Sequence, residues 1–448
     1  MDLLIKGGKI FTPAGFIDGC IGIKDGKIAA IGKEANVPRA ERTIDVAGNL
    51  VLPGMVDLHV HFRDPGAPEK EDFTSGTSAA ACGGVTTVMD MPNTVPPTVD
   101  AEALRKKKET AEGKAIVDFA ICGGVGVKSI GNVLDIAKEG ASAFKTFMTS
   151  RFEELFSGND ATLLDIFHQV SKTSLACLIH AEDQSIVAAQ VEKLRSAGRV
   201  SPQAHTESRP EIAEVHGALK ALDLAKHARA RLHICHTSTP EVVEYAQVWK
   251  NKGLPVSVET CPHYLLLTDD LMAKRGAYAK VDPPLRSESS RMKIWEMFVH
   301  GQIDTLGSDH APYTIEEKNR GETNIFDAPS GSPGVETTLP VMLDCVNRRL
   351  LSIERLVQTF SENSAKIIGL HPSKGSLQIG ADADVVVVDM KKEETIKADL
   401  LHSKQKYSLF ENRRCKGWPT LTIVRGTIVA ENGKIAVKPG FGRFLRPG

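Results

Sequence analysis

Eight short apolar segments that alternate with stretches of helical character constrain the fold of this chain more than any other feature. Apolar segments of this kind are typical of buried strands, and strands joined by helical crossovers predict an α/β fold with a parallel sheet. A TIM-like (β/α)8 barrel fits this pattern, and an open doubly wound sheet is the competing interpretation. The expected strands are Gly54–Phe62, Val85–Met91, Ile116–Gly123, Ala143–Met148, Leu175–Glu182, Arg231–Ser238, Val256–His263 and Ile303–His310, and helices are expected at Ala101–Gly113, Glu211–His227, Thr239–Lys252 and Arg291–Gly301.

The two ends of the chain are similar to each other and differ from the middle. Short apolar alternations broken by Asp25-Gly26 and Asn432-Gly433 are typical of β-hairpins. Strands from opposite ends can pair into one small β-sandwich domain, which brings the termini together. We therefore expect residues 1–54 plus 375–448 to form this domain and residues 55–374 to form the barrel.

The composition excludes several classes of protein. Lys and Arg total 55 and Asp and Glu total 56, so the basic excess of a duplex nucleic-acid binder is missing and attraction to anionic membranes is disfavoured. The sequence shows no secretion signal and no apolar run near the roughly 20 residues that span a bilayer. The eight cysteines form no Cys-x-x-Cys pair and are expected as buried thiols, so we expect a cytoplasmic protein with no nucleic-acid or membrane partner.

A barrel places its functional residues at the carboxyl ends of its strands. His59 and His61 end the first expected strand on one face, where two imidazoles can chelate a divalent metal. Alone, this pair is weak evidence for a metal site, and two partly buried histidines bonded to backbone are the favoured interpretation. Because His180, His236 and Asp309 end three further strands, five candidate ligands converge on one barrel mouth, which favours a metal site.

Lys145 lies inside the apolar fourth strand, where no Asp or Glu occupies the strand end. A snorkelling or ion-paired lysine is one interpretation. The alternative is functional, because loss of hydration favours a neutral amine, and a neutral amine can react with carbon dioxide. The resulting carbamate is an anion able to bridge two metal ions.

The series His59-Val-His61, Lys145, His180, His236 and Asp309 resembles the amidohydrolase superfamily over nearly the whole chain. Within it, the chain is similar to the cyclic amidohydrolases, which comprise dihydroorotases, allantoinases and the hydantoinases or dihydropyrimidinases. The resemblance implies a metal-dependent hydrolase with two divalent metal ions, Zn²⁺, bridged by an N6-carboxylated Lys145. It assigns one metal to His59, His61, Lys145 and Asp309, and the other to Lys145, His180 and His236.

Two segments are similar to dihydroorotases in particular: His61-Phe-Arg63-Asp-Pro-Gly and Met91-Pro-Asn93-Thr. Allantoinases usually carry Asn in place of Arg63, and hydantoinases lack this arginine. A guanidinium can hold a substrate carboxylate through two parallel bonds, and Asn93 can donate another. The alternatives are a structural ion pair of Arg63 with Asp64 or Glu69, and a turn role for Asn93.

Two positions that lie near the substrate in this family depart from the common dihydroorotase pattern. Asp282 replaces an asparagine, and its carboxylate would repel an acidic substrate unless it points away. Tyr313 replaces a histidine and can still donate a hydrogen bond. These departures leave the substrate open without affecting the metal ligands.

The resemblance implies reversible cyclisation of N-carbamoyl-L-aspartate to (S)-dihydroorotate in de novo pyrimidine biosynthesis, with a small anionic cyclic amide as substrate. Asp309 is the expected catalytic base and then acid. An allantoinase or a hydantoinase is the nearest alternative, and a non-catalytic scaffold of the same fold is the alternative from another class. A homo-oligomer, either dimer or tetramer, is expected from the family.

Overall fold

The computed structural model describes residues 1–149 and 152–448. Within these ranges the strands fall into two sheets, one of nine strands and one of eight. The strands are β1 (Leu3–Thr12), β2 (Gly15–Lys24), β3 (Lys27–Gly32), β4 (Arg42–Asp45), β5 (Leu50–Pro53), β6 (Met55–Val60), β7 (Val85–Asp90), β8 (Asp118–Gly124), β9 (Ala143–Phe147), β10 (Ala176–His180), β11 (Arg231–Ile234), β12 (Val256–Thr260), β13 (Thr305–Leu306), β14 (Val385–Thr395), β15 (Arg414–Val424), β16 (Thr427–Glu431) and β17 (Lys434–Ile435).

Helices connect the strands of the middle region and cover their outer side. None of the helices in the described ranges has the length and apolar character needed to cross a bilayer. They are α1 (Phe73–Cys82), α2 (Ala101–Glu112), α3 (Val133–Glu139), α4 (Asp160–Ser171), α5 (Gln184–Ser196), α6 (Pro202–Ser208), α7 (Glu211–Ala228), α8 (Pro240–Asn251), α9 (Pro262–Leu266), α10 (Asp270–Arg275), α11 (Glu288–Val299), α12 (Ile315–Asn319), α13 (Val335–Asn347), α14 (Ile353–Val357) and α15 (Asn363–Ile367).

The eight strands β6 to β13 form a parallel barrel in which sequence neighbours are also spatial neighbours. The barrel closes where the His61 N–H donates to the His310 carbonyl over 2.7 Å and Val60 bridges His310. A doubly wound sheet would reverse its strand order and keep two open edges, so the predicted TIM-like barrel is confirmed. Side chains near the amino ends of the strands pack against Ala365, Ile368 and Leu370, which fill the bottom of the barrel.

The last barrel strand is much shorter than the expected Ile303–His310, because only Thr305–Leu306 is extended and paired. Asp309 adopts φ 45°, which lies in the left-handed region and cannot continue a strand. His236 leaves the sixth strand in the same way at φ 38°. The prediction extended these strands through residues that the structure uses to turn side chains toward the barrel mouth.

Both ends of the chain contribute to the nine-stranded sheet, as expected. Its order is β17-β16-β15-β14-β5-β1-β2-β3, with β4 paired to β1. Ile5 and Ile21 from one end share an apolar core with Val385 and Ile423 from the other. Strand pairing across the two ends holds the amino-terminal strands against the carboxyl-terminal ones.

Polar contacts at the bottom and at the top of the barrel help to join this terminal sheet to it. At the bottom, the buried Asp118 accepts hydrogen bonds from the Lys374 ammonium at 2.6 Å and from the Arg443 N–H at 2.9 Å. At the top, the segment between β14 and β15, residues 396–413, reaches the mouth of the barrel. There the Tyr407 hydroxyl donates to the Tyr313 carbonyl at 3.0 Å, so part of the terminal sheet borders the site described next.

Candidate active site

His59, His61 and Asp309 lie together at the carboxyl end of the barrel. The Nε2 atoms of His59 and His61 are 3.5 and 3.3 Å from Asp309 Oδ1. One ligand atom from each residue lies within 4.8 Å of those from the other two. Because imidazole nitrogen and carboxylate oxygen both bind Zn²⁺, these three side chains could hold one divalent metal ion.

His180 and His236 form a second pair beside this group. His180 Nδ1 is 3.2 Å from His236 Nε2, and the two ring centroids are 4.8 Å apart. The His236 ring is also 5.2 Å from the His59 ring, centroid to centroid. The structure therefore brings the five histidine and aspartate candidates from the four strand ends into one cluster.

Lys145 lies on β9, between the strands β8 and β10, and its side chain is fully buried. Its Nζ has no hydrogen-bond partner among the residues that the structure describes, and it lies 5.1 Å from the centroid of the Phe147 ring. The structure thus shows neither a snorkelling nor an ion-paired lysine. An unpartnered buried amine beside imidazoles and a carboxylate fits a group that becomes an anionic metal ligand by carboxylation.

Two carboxylates orient the histidine rings, and the sequence analysis assigned no role to either of them. Glu259 Oε1 is 2.7 Å from His59 Nδ1, and Glu182 Oε2 is 2.8 Å from His180 Nε2. A carboxylate fixes the proton on the ring nitrogen that it contacts, which leaves the other nitrogen free to bind a metal. Glu182 follows His180 by two residues, and residues two apart on the expected strand Leu175–Glu182 lie on the same face. This spacing was the signal in the sequence for a contact between them.

Burial favours the neutral form of three of the clustered histidines, His59, His61 and His236. Burial lowers the pKa of His59 to about 4. The charge of Glu259 raises this pKa and the charge of Lys145 lowers it, but burial has the largest effect. It also lowers the pKa of His61 and His236 well below the usual value. Because a metal binds the neutral ring, these histidines need not lose a proton near pH 7 before they bind one.

Burial has the opposite effect on the carboxyl group of Asp309 and raises its pKa to about 8. A carboxyl in this environment takes up a proton readily near neutral pH. Divalent cations beside it would favour the ionised form instead. Asp309 can therefore hold or release a proton according to the charge around it.

Three residues at the barrel mouth have left-handed backbone conformations: Arg63 at φ 60°, His236 at φ 38° and Asp309 at φ 45°. For residues other than glycine such conformations cost on the order of 1–3 kcal/mol each, and they persist where the surroundings enforce them. At these positions the conformation turns the side chain into the site.

Replacing Glu259 with glutamine should lower the affinity for the metal bound by His59 about 10- to 100-fold, because the ring loses the carboxylate that orients it. Calorimetric titration of chelator-treated protein with Zn²⁺ would measure the change. Glu317→Gln is the control, since the Glu317 carboxylate pairs with Lys70 at 2.8 Å and accepts the Thr314 N–H at 3.1 Å rather than orienting a histidine. An unchanged affinity in Glu259→Gln would show that this carboxylate does not support the metal ligands.

A cavity of about 480 Å³ opens above the cluster, and Arg63 lies in its wall. The guanidinium stacks on the Tyr313 ring at 4.7 Å. Within residues 1–149 and 152–448 it forms no ion pair, and the carboxylate of Asp64 pairs instead with Lys114 at 2.7 Å. A structural pair with Asp64 therefore does not account for Arg63, and its charge faces the cavity without a partner.

Asn93 lines the same cavity, and its side-chain oxygen has no hydrogen-bond partner. The turn that follows Pro92 is closed by backbone, with the Thr94 N–H donating to the Pro92 carbonyl at 2.8 Å. The Asn93 side chain is thus not needed for the turn and remains available to a ligand.

Asp282 also lines the cavity, but its charge is compensated. Its Oδ2 lies 3.0 Å from Arg209 Nη2, and its Oδ1 lies 3.3 Å from His205 Nε2. Burial alone would raise the pKa of Asp282, and the Arg209 guanidinium overcomes this effect and holds it below its usual range. The other side of Arg209 binds Glu182, so the extra carboxylate belongs to an internal chain of charges.

One part of the remaining wall of the cavity is apolar. Helix α5 contributes Val187, Ala188 and Val191, which recur on one face of the helix, and Phe152 and Phe326 lie nearby. The cavity therefore has a cationic part near the metal-binding cluster and an apolar part further out. No local pattern in the sequence indicated that these apolar side chains line the cavity.

Comparison with known proteins relates the whole chain to one group of enzymes. A family model described as "Amidohydrolase family" matches residues 50–429. An L-hydantoinase of Paenarthrobacter aurescens is 38% identical over 99% of this chain and 98% of its own. A dihydroorotase of Methanosarcina acetivorans is 36% identical over 99% and 95%, and an allantoinase of Rubrobacter xylanophilus is 37% identical over 100% and 98%.

Solved structures agree with this relationship. The L-hydantoinase (dihydropyrimidinase) from Arthrobacter aurescens superimposes with a TM-score of 0.96 at 37% sequence identity, and the match covers 99% of both chains. Relatives named for three different activities thus have a similar degree of sequence identity to this chain. Overall similarity in sequence and structure therefore does not identify the substrate. The residues that line the cavity must be used to infer it.

Proposed function

We propose that this chain, which belongs to the amidohydrolase family, is a dihydroorotase that interconverts N-carbamoyl-L-aspartate and (S)-dihydroorotate. The observation that carries the proposal is the Arg63 guanidinium, which lines the cavity and has no carboxylate partner within residues 1–149 and 152–448. A buried cation without a counterion favours an anionic ligand, and guanidinium binds carboxylates in a bidentate manner. Dihydroorotate carries one carboxylate beside its cyclic amide.

The metal-binding cluster suits hydrolysis of that amide. We assign His59, His61 and Asp309 to one divalent ion and His180 and His236 to the other, with carboxylated Lys145 between them. When bound, such ions supply water of lowered pKa and polarise the amide carbonyl. The unpartnered Lys145 Nζ in the midst of these groups supports the assignment.

The side chains around the cluster account for the remaining requirements of the reaction. Arg63, held by the Tyr313 ring, orients the substrate through its carboxylate, and Asn93 offers a further hydrogen bond. Asp309 accepts a proton from the attacking water and returns it to the ring nitrogen as the carbon–nitrogen bond breaks. Ring closure runs through the same positions in reverse and releases water.

Hydrolysis of 5-substituted hydantoins is the second candidate, and the apolar part of the cavity favours it. Val187, Val191 and Phe326 could bury a hydrocarbon substituent that dihydroorotate does not have. The L-hydantoinase relative is consistent with this reading. The two candidates use the same metal chemistry and differ in the group that the cavity must hold.

Assaying metal-loaded protein on dihydroorotate, N-carbamoyl-L-aspartate, allantoin, dihydrouracil and 5-benzylhydantoin distinguishes these functions. We expect the highest kcat/KM for dihydroorotate in ring opening and measurable cyclisation of the carbamoyl acid. Preference for 5-benzylhydantoin with no turnover of either acid would refute the dihydroorotase and support the second candidate.

A further inference from the structure

A second cluster of potential metal ligands lies away from the barrel mouth, where three segments of the chain meet. Cys82 is the last residue of α1, Glu336 is in the first turn of α13, and His402 belongs to the segment 396–413. One ligand atom from each residue lies within 4.8 Å of those from the other two. The proposed hydrolytic reaction uses none of these residues.

The contacts within this cluster direct one nitrogen of His402 toward sulfur. Glu336 Oε1 is 2.9 Å from His402 Nδ1, and Glu336 Oε2 accepts the His402 backbone N–H at 2.7 Å. A carboxylate on Nδ1 fixes the proton there and leaves a lone pair on Nε2. That nitrogen is 3.6 Å from Cys82 Sγ.

This separation suits a tetrahedral ion. Zinc binds cysteine sulfur at about 2.3 Å and histidine nitrogen at about 2.0–2.1 Å, so the two ligand atoms lie about 3.6 Å apart at a tetrahedral angle. The side chains of His402 and Glu336 are 27% and 12% exposed, so the cluster is open to solvent. An ion could enter, and water could complete its coordination.

We propose that Cys82 and His402 bind one zinc-like divalent cation, with Glu336 as the carboxylate that supports the imidazole. Binding replaces the thiol proton, which is released to solvent, by a metal–sulfur bond. A hard cation such as Mg²⁺ would not select this site, since thiolate and imidazole prefer zinc and its neighbours in the transition series.

The same three groups could instead form a cysteine nucleophile with its base. Burial, and then the charge of Glu336, raise the pKa of Cys82 well above its usual value. A nucleophilic cysteine needs the opposite shift, because the thiolate is the reactive form. A metal ligand is also a thiolate, but a bound divalent cation itself deprotonates the thiol that it coordinates, which a neutral imidazole does not do against this shift. The arrangement therefore favours metal binding over nucleophilic catalysis.

A bound ion would link α1, α13 and the segment 396–413 behind the barrel mouth. Gly334 and Val335, just before Glu336, donate their N–H groups to His310 Nδ1 at 3.1 and 3.3 Å. Ser403, next to His402, donates to Glu71, which also contacts His310 Nε2 at 3.2 Å. The ion would stabilise the segments that hold His310, the neighbour of Asp309.

Cobalt(II) titration tests this proposal on the full chain with its other metal sites already loaded. A cysteine-bound Co²⁺ absorbs in the near ultraviolet through sulfur-to-cobalt charge transfer, and the ligands proposed for the hydrolytic site contain no sulfur. We expect the band to grow to one equivalent of added Co²⁺ per chain. Bound Co²⁺ should also raise the melting temperature, since it binds the folded state.

Variants identify the ligands. Cys82→Ser should abolish the band and keep ring-opening activity, and His402→Gln should weaken Co²⁺ binding at least tenfold. Cys20→Ser is the matched control, because the Cys20 thiol is buried in the terminal sheet and donates to the Gly32 carbonyl, as a hydroxyl can. Absence of the band in the unmodified chain, or its persistence in Cys82→Ser, would overturn the proposal, and neither result bears on the dihydroorotase assignment.

Discussion

Replacing Lys145 with alanine is expected to abolish ring opening and to remove most of the metal from the protein. The variant loses the only proposed ligand shared by both ions, together with the negative charge that its carbamate would supply. Metal ions contribute several kcal/mol of transition-state stabilisation, so the rate should fall about a thousandfold or more. Metal analysis and a dihydroorotate assay on the same preparation measure both effects.

Lys318→Ala is a suitable control for the loss of a buried lysine. Lys318 is also fully buried, but its Nζ donates to the carbonyls of Ala277 and Pro329, each at 3.0 Å. Its removal should lower the melting temperature and leave the metal content per folded chain unchanged. A Lys145→Ala protein with full metal content and normal turnover would refute the bridging role.

Replacing Arg63 with alanine is expected to reduce kcat/KM for dihydroorotate about a hundredfold or more, with metal content unchanged. Truncating one partner of a buried charge pair costs about 2–5 kcal/mol, or roughly 30- to 4,000-fold, and the expected loss lies within this range. The loss should appear only for substrates with a carboxylate. Steady-state kinetics on dihydroorotate and on a neutral hydantoin therefore separate charge recognition from general damage to the site.

Arg195→Ala provides the matched comparison, because Arg195 also lines the cavity but pairs with Asp327 at 3.4 Å and is substantially exposed. An exposed pair contributes about 0–1 kcal/mol, so only a small change is expected. If Arg63→Ala and Arg195→Ala have equal effects on dihydroorotate, Arg63 is not the carboxylate-binding residue.

The sequence predicted the barrel because alternating strands and helices leave few architectures. It also predicted the cluster of His59, His180 and Asp309, because the carboxyl ends of parallel strands meet on one face of a barrel. The length of the eighth strand was wrong because the left-handed backbone of Asp309 depends on its tertiary surroundings. Local sequence patterns carry little information about such conformations.

The partners of charged residues were the least predictable part of the site. The pairing of Asp282 with Arg209 joins residues far apart in sequence, so the sequence left open whether this carboxylate would repel a substrate. The contact between Glu259 and His59 joins two strands that are 200 residues apart in sequence, so it also could not be predicted from local sequence patterns. Periodicity identifies the face on which a side chain lies, whereas its partner is set by how distant strands are placed.

The segment 396–413 has a practical consequence for anyone who would redesign this catalyst. Because Tyr407 and Ser403 reach the mouth of the barrel from the terminal sheet, an excised barrel would lack the contacts that hold Tyr313 and Glu71. A minimal version built from the central residues alone would keep its metal ligands and lose support for the loops around them. Laboratory evolution of a new ring preference should therefore start from the entire polypeptide.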